Sequence, residues 1–306
     1  MEGSMVGRIL ELARENLAIH RARGFLSVRQ QGSEIGKAEL DDIDAVLVSG
    51  QELTWSNSAL AHLAAQNVPV TILGANFAPV AVVLPLNGHG EQAYRMTNQA
   101  AASKPLRKQI WASLVRHKIA AQAAALDRLG ISSERLVRLV SAVHSGDPKN
   151  CEAQAAQTYW PLLLGKSFRR DTGQEGTNAL LNYGYAVLRA ATARAIVSAG
   201  LHPSLSVHHR SGGDALALAD DLMEPFRPTI DLAVHALLEA GIDRVEDGRT
   251  ALVETLSAPF STDQGVSPLS QVLLRLAQSL SGSFASGKTT LVFPRQPIPE
   301  SFLADE

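Results

Sequence analysis

The chain has 306 residues and a formal net charge of -2, with 28 Lys and Arg against 30 Asp and Glu. This length predicts about two domains, and 45% hydrophobic residues suffice for a packed core, which excludes a disordered tail and a mini-protein. The single cysteine, Cys151, excludes an intrachain disulfide framework and a cysteine-rich zinc module, and it is typical of a protein from a reducing cytoplasm.

The first 86 residues predict a β-rich domain. One helix, which begins near Ser56 or Asn57, interrupts its strands. Residues 1–4 have the composition of a cloning scar and are left out of the fold prediction. We find neither a signal peptide nor an apolar stretch long enough to span a bilayer, so we expect a soluble, unsecreted protein. The strand-like segments are 16–20, 25–29, 45–48, 68–73 and 80–84.

Residues 87–97 form the predicted linker, because they begin with two glycines among polar residues and show no periodicity. Residues 98–306 follow as a larger domain that is all-α or nearly so. The predicted fold class is therefore α+β, with an N-terminal β-rich domain before the helical one. The predicted helices are 104–129, 133–144, 152–168, 178–199, 229–240 and 266–281.

Two short features have a functional pattern that their context does not support. Residues 282–289 have the spacing of a phosphate-binding loop, but a Leu-spaced helix precedes them and the strand-like residues 290–294 follow. We therefore predict a turn that ends a helix. Cys151 has no activating partner at a recognisable spacing, so we predict a small buried side chain rather than a nucleophile.

The near-zero net charge argues, at face value, against a nucleic-acid partner, because phosphate affinity comes mainly from Lys and Arg. The charge is unevenly distributed, however. Residues 104–170 carry 12 basic and 4 acidic side chains, whereas residues 211–254 carry 3 basic and 10 acidic ones. The first block is suited to a polyanion and the second to a hard cation.

Two carboxylates in the acidic block have the spacing of a cation site. If the segment is helical, Asp221 and Glu224 at i and i+3 lie on one face, and bound Mg²⁺ or Mn²⁺ is a common reason for tolerating their repulsion. An imidazole from residues 202–209 would shift the preference toward Mn²⁺. The alternative is a solvated acidic helix start with satisfied histidines, and the spacing alone favours that alternative.

Four segments in a fixed order match a known family. They are residues 152–160, 178–189, 200–209 and 221–228. Together they resemble the Cas1 family of CRISPR adaptation integrases, which joins an N-terminal β domain to a helical catalytic domain, so the resemblance extends over the chain from Met5. Two of these motifs are similar in sequence to those of family members that accompany the Cas9 effector in type II systems. They are Leu-Asn-Tyr-Gly-Tyr and Asp-Leu-Met-Glu-Pro-Phe-Arg-Pro.

The resemblance implies the catalytic residues and the metal. The family's motif residues fall on Glu152, His209, Asp221 and Glu224, of which Glu152, His209 and Glu224 would hold Mg²⁺ or Mn²⁺, with Asp221 supporting them or taking a proton. The alignment with the family motifs leaves two assignments open: His208 could take the place of His209, and Asp220 that of Asp221. The chain departs from the family pattern at Ser206, where the family usually has Gly.

The resemblance also implies the reaction and the partners. The expected function is a metal-dependent DNA endonuclease and integrase, in which a 3'-hydroxyl attacks a phosphodiester at the CRISPR leader–repeat junction and inserts a new spacer. The alternatives are a non-catalytic DNA-binding scaffold of a spacer-capture complex and a phosphoesterase of small nucleotides. The implied partners are double-stranded DNA, a second copy in a homodimer, Cas2 in a heterohexamer-like complex and the Cas9 effector, with no membrane, in a prokaryotic cytoplasm.

Basic residues of the first block are candidates for contacts with the DNA backbone. Sparse aromatic residues, at 5%, argue against base stacking as the main form of recognition. The alternative for the helical lysines and arginines is a solvated helix face. The candidates are Lys104, Arg107, Lys108, Arg116, Lys118, Arg169 and Arg170.

Overall fold

The computed structural model describes residues 8–301, except for 75, 76, 78, 87, 88, 172, 174 and 210–213. The strands are β1 (Arg8–Leu12), β2 (Leu17–Ala22), β3 (Phe25–Gln30), β4 (Ser33–Glu39), β5 (Ile43–Val48), β6 (Leu53–Trp55), β7 (Val70–Leu73), β8 (Pro79–Val83), β9 (Pro259–Thr262) and β10 (Gly265–Pro268). The helices are α1 (Asn57–Ala65), α2 (Gln92–Ala101), α3 (Lys104–Arg128), α4 (Glu134–Ala142), α5 (Cys151–Leu163), α6 (Thr177–Ser198), α7 (Ala217–Met223), α8 (Arg227–Glu239), α9 (Val245–Glu254) and α10 (Leu269–Ser286).

Two four-stranded sheets form the N-terminal part, in the orders β1-β5-β7-β8 and β4-β3-β2-β6. The two hairpins of the second sheet turn at Arg23-Gly24 and Gln31-Gly32, where both residues of each pair have positive φ. Such two-residue turns match the right-handed twist of the flanking strands. The inner faces of the two sheets and helix α1 share one apolar cluster that includes Ile19, Leu26, Val46, Val70 and Leu63.

Helix α6 is the centre of the helical part, because most of its side chains are buried on all sides. It approaches α8 closely at Gly184, where a Cβ would overlap Ile230 Cγ2 and lie 3.3 Å from Leu252 Cδ2. Helix α3 packs against α4, α5 and α8, and it begins after Ser103, whose side chain accepts a hydrogen bond from the Leu106 N–H. Helices α3 and α6 both pack against α7 and α8, the two helices on either side of Glu224.

A continuous apolar core joins the sheets to the helices. Ala45, Leu47 and Leu73 of the first sheet belong to the same buried cluster as the side chains of α3 and α6. Glu11 of β1 pairs with Arg249 at 2.9 Å. The strands β1–β8 lie before residue 84 and the helices α2–α10 after residue 91, and the domain boundary near residue 86 stays a prediction.

The segment after α10 packs against α3. Phe293 stacks on His117 with ring centroids 3.4 Å apart. The Val292 N–H donates to Ser279 Oγ at 3.0 Å, and Arg128 donates to the carbonyl oxygen of Pro299. The last described residues therefore cover part of α3, a helix that lies next to the candidate site.

The α+β fold class is confirmed, but several element predictions were wrong. Residues 92–97 of the predicted linker belong to α2, while residues 87 and 88 lie outside the described residues. The hairpin β9–β10 shows that the second part is not all-α. Residues 282–286 continue α10 beyond its predicted end at residue 281. A left-handed Gly287 then ends the helix, so the predicted helix-ending turn lies within 282–289, but residues 290–294 form no strand. Among the described residues, no helix has the length and apolar character needed to cross a bilayer.

Candidate functional site

Glu152 is oriented by the first turn of α5. The Asp147 carboxylate accepts hydrogen bonds from the backbone N–H groups of Cys151 at 2.9 Å and Glu152 at 3.0 Å. These are two of the N–H groups that a helix start leaves without an intrahelical partner, and a negative charge there also offsets the helix dipole. Cys151 itself is buried, as the sequence predicted. Asp147 therefore fixes the backbone from which Glu152 extends.

Lys118 of α3 brings the two motif glutamates together. Its Nζ lies 2.6 Å from Glu152 Oε1 and 2.5 Å from Glu224 Oε2. The three side chains are mostly buried, with 13% of Lys118, 25% of Glu152 and 7% of Glu224 exposed. Burial alone would lower the pKa of Lys118, but the carboxylates of Glu224 and Glu152 raise it above its usual value. Two carboxylates from distant segments thus converge on a single cation.

Glu224 has a second cationic neighbour. Arg227 Nε donates to Glu224 Oε1 at 2.9 Å. Burial would raise the pKa of Glu224, but the charges of Arg227 and Lys118 lower it to about 2. The other oxygen, Oε2, accepts no well-directed hydrogen bond from the described residues, although it touches the Lys118 ammonium. Glu224 is therefore an ionised carboxylate with one oxygen bound by Arg227 and the other in contact with the Lys118 ammonium.

Asp221 does not join this cation site. Its buried carboxylate accepts from the backbone N–H groups of Val207 at 2.6 Å and His208 at 3.0 Å, and it lies 2.6 Å from His209 Nδ1. Helix α7 ends at Met223 and Glu224 begins a 3-10 turn, so the two carboxylates point to different partners despite their i, i+3 spacing. Asp221 organises the histidine loop.

The structure distinguishes His209 from His208. The hydrogen bond with Asp221 raises the pKa of His209, whereas burial lowers the pKa of His208. The His208 ring stacks on Trp111 with centroids 4.1 Å apart, and His209 meets the same indole edge-on at 5.6 Å. With Nδ1 directed to a carboxylate, His209 has its Nε2 available, which is the usual arrangement of a metal-binding histidine.

Asp220 has a partner of its own outside this cluster. It accepts from Arg189 at 2.7 Å, and Arg189 also reaches Asp214 at 2.6 Å. Asp220 therefore belongs to an ion-pair group with Arg189 and Asp214, not to the histidine loop.

A cavity of about 190 Å³ opens next to Arg227, the partner of Glu224. Arg170, Arg189 and Arg227 line it together with Tyr185, Asn182 and one carboxylate, Asp220. Arg170 donates to Asn182 Oδ1 at 2.7 Å, and no carboxylate of the described residues lies within ion-pair distance of it. A guanidinium that lines a cavity and lacks a carboxylate partner is suited to an anionic group such as a phosphate.

The other basic candidates lie in different environments. Arg107 donates to the carbonyl oxygens of Gln99 at 3.1 Å and Ser206 at 3.3 Å, so it ties α3 to the loop before the histidines. Arg116 donates to the carbonyl oxygen of Val143 at 2.9 Å. Lys118 lies within the glutamate cluster, not on a solvated face. The exposed candidates are Lys104, Lys108 and Arg169, the last with hydrogen bonds to nearby carbonyls.

The four motif residues thus form two linked pairs. Lys118 joins Glu152 to Glu224, and Asp221 holds His209, but no three acidic, His or Cys side chains of the described chain lie close enough together to hold a metal ion. The glutamate pair still fits a divalent cation, because its oxygens converge on one positive charge and one of them is a buried acceptor without a directed hydrogen bond.

Sequence reasoning missed three residues of this region. Lys118 was considered only as a DNA contact, and its burial could not be read from one helical lysine. Asp147 lies four positions before the first residue of α5, and Asn150 occupies the N-cap, so the usual capping pattern does not mark Asp147. Trp111 lies seven residues before Lys118 on α3, and this two-turn spacing could have suggested a common face.

Comparisons with known proteins agree with this architecture. A family model described as CRISPR associated protein Cas1 matches residues 10–251. The CRISPR-associated endonuclease Cas1 of Neisseria meningitidis is 35% identical over 277 residues, which is 89% of each chain. A casposase solved bound to its integration product superposes with a TM-score of 0.79 at 24% identity, over 94% of this chain and 93% of that one. A chain of a Cas6-RT-Cas1–Cas2 complex gives a TM-score of 0.76 at 20% identity, over 97% of this chain and 37% of that one.

Proposed function

This chain belongs to the Cas1 family, the endonucleases and integrases of CRISPR adaptation, and on that premise we propose that it inserts short DNA fragments as new spacers at the leader–repeat junction in a reaction that depends on a divalent metal ion. The observation that carries the proposal is the convergence of Glu152 and Glu224 on one cation position. In the proposed reaction the free 3'-hydroxyl of the fragment attacks a phosphodiester and displaces the original 3'-oxygen.

Glu152, Glu224 and the Nε2 of His209 would hold Mg²⁺ or Mn²⁺ in this proposal. When bound, the ion would act as a Lewis acid on the phosphate and lower the pKa of the attacking hydroxyl. The protein's own residues do the positioning: Asp221 fixes the tautomer and direction of His209, and Arg227 keeps Glu224 ionised. The uncompensated Arg170 can hold a backbone phosphate near the reacting one.

The proposed partners follow from the family and from its relatives. The casposase was solved with an integration product, and the second structure is a Cas6-RT-Cas1–Cas2 complex. We infer that this chain likewise binds double-stranded DNA and Cas2, and that it forms a homodimer. We further propose that the Cas9 effector is a partner and that the protein acts in a prokaryotic cytoplasm.

The test is a strand-joining assay with the purified protein, Mn²⁺, a fragment bearing a 3'-hydroxyl and a plasmid carrying the repeat. We expect Glu224→Gln and Glu152→Gln to lose joining by at least about 100-fold while they still bind the fragment. Full joining by Glu224→Gln would overturn the assignment. DNA binding without joining by the parent protein, with Cas2 present, would favour the scaffold alternative instead.

A further inference from the structure

The Lys118 ammonium fills the position toward which both glutamates point. Its Nζ lies within 2.6 Å of a carboxylate oxygen from each of them. We propose that a divalent metal ion enters this site by displacing Lys118, so that this lysine sets how tightly the site binds metal. The inference rests on the proposed function, because it takes Glu152 and Glu224 as metal ligands.

The charges of the cluster support displacement over coexistence. Glu152 and Glu224 carry two negative charges, and Lys118 and Arg227 carry two positive charges, so the cluster is already neutral. A divalent ion bound at the same carboxylate oxygens would meet the ammonium at short range in a largely buried site. Like charges repel strongly where water is excluded, so the ammonium has to move away.

Lys118 is also the cation that can leave at the lower cost. It contacts the glutamates through one Nζ at the end of a flexible four-carbon stem, and its directed hydrogen bond goes only to Glu152 Oε1. Arg227 is held more firmly, because it donates to Glu224 Oε1 and lies over the Tyr185 ring at 4.5 Å. We therefore assign displacement to Lys118 and retention to Arg227.

The experiment measures Mn²⁺ binding to the metal-stripped full chain, without DNA, by the electron paramagnetic resonance signal of free Mn²⁺. If the state with Lys118 displaced makes up about a tenth of the metal-free protein or less, Lys118→Met should lower the Kd for Mn²⁺ about tenfold or more. Lys288→Met, an exposed lysine far from the site in sequence, is the matched control and should leave the Kd unchanged. A Kd for Lys118→Met equal to that of the parent, or higher, would overturn the inference.

Two further measurements separate the possible failures. If Glu224→Gln binds Mn²⁺ as well as the parent does, the ion binds elsewhere and the proposed metal site is wrong. If Lys118→Met does not fold, the parent is acetylated with an amine reagent and each lysine is followed by mass spectrometry. Mn²⁺ should then raise the acetylation rate of Lys118 and leave that of Lys288 unchanged, and an unchanged or lower rate at Lys118 would refute displacement.

Discussion

The Asp147 carboxylate has a defined contribution, because it satisfies two backbone N–H groups at the start of α5. Replacing a capping side chain by Ala typically costs about 0.5 to 2 kcal/mol of stability. We expect Asp147→Ala to lower the free energy of unfolding by about that amount, as measured by urea denaturation. Asp243→Ala, at an exposed position, should have little effect, and equal stability of the two variants would contradict the capping role.

A second buried carboxyl group predicts a pH dependence of stability. Burial raises the pKa of Asp231 from 3.8 to about 7, although the Tyr185 hydroxyl donates to it. Between these two values the folded protein binds a proton that the unfolded chain does not. The free energy of unfolding therefore falls as the pH rises toward 7, by up to about 1.4 kcal/mol per pH unit, and this contribution is lost above that pH.

Asp231→Asn should remove this dependence, because the amide is neutral at every pH and still accepts from Tyr185. We expect the stability of the variant relative to the parent to increase from pH 5 to pH 7 and then to level off, as measured by urea denaturation in steps of pH. Glu239→Gln, at an exposed position of the same helix, should give parallel curves. Parallel curves for Asp231→Asn would contradict the raised pKa.

The sequence motifs predicted Glu152, His209, Asp221 and Glu224 as site residues, but they did not show which side chains pair with one another. The charge state and direction of each side chain depend on neighbours that are distant in the chain. Lys118 lies 34 residues from Glu152, and nothing local marks it as different from other lysines of a helix. Burial and long-range pairing therefore had to come from the fold.

At the scale of elements, Gly184 is required by the packing of α6 against α8. Gly184→Ala should destabilise the protein by about 1 to 3 kcal/mol, because the added Cβ would overlap Ile230 Cγ2. Gly282→Ala is the matched control, since its nearest neighbour, Thr290 Oγ1, is 3.9 Å away. In that open helical position Ala should stabilise by about 0.5 to 1 kcal/mol.

The comparison is made by thermal and urea unfolding of both variants. Shortening the opposing side chain, in Gly184→Ala/Ile230→Ala, should cost less than the sum of the two single changes, because it removes the methyl group that overlaps. If the losses in free energy of unfolding are additive, the close approach of Gly184 to Ile230 is not what makes Gly184→Ala destabilising.

Helices with a clear Leu and Ala spacing were predicted well, and irregular ones were not. Helices α3, α4 and α6 lie within two residues of their predicted bounds. The prediction for α5 ran on to residue 168, but the helix ends at Leu163 and the chain turns at Gly165, with φ of 91°. Helix α7 was not predicted as an element because it spans only seven residues, and tertiary packing decides whether so short a segment is helical.

For the whole molecule, the segregation of charge predicts salt-sensitive DNA binding. Lys104 and Lys108 are exposed at the start of the basic block. If each contacts one phosphate, Lys104→Ala and Lys108→Ala should each reduce the slope of log Kobs against log salt by about 0.9. Fluorescence anisotropy with a labelled duplex measures the slope, and Lys37→Ala, in a strand of the N-terminal sheets, is the control. An unchanged slope in both variants would remove α3 from the DNA surface.

The packing of the last described residues on α3 sets an order of events during synthesis. Arg128 and Pro299, which share a hydrogen bond, are 171 residues apart. At a typical rate of about 5 to 20 residues per second, the ribosome needs roughly 9 to 34 s to make the intervening chain. For that time the surface of α3 that carries His117 and Arg128 lacks the cover of residues 293–299, so apolar surface of this long helix stays open while the intervening helices are made.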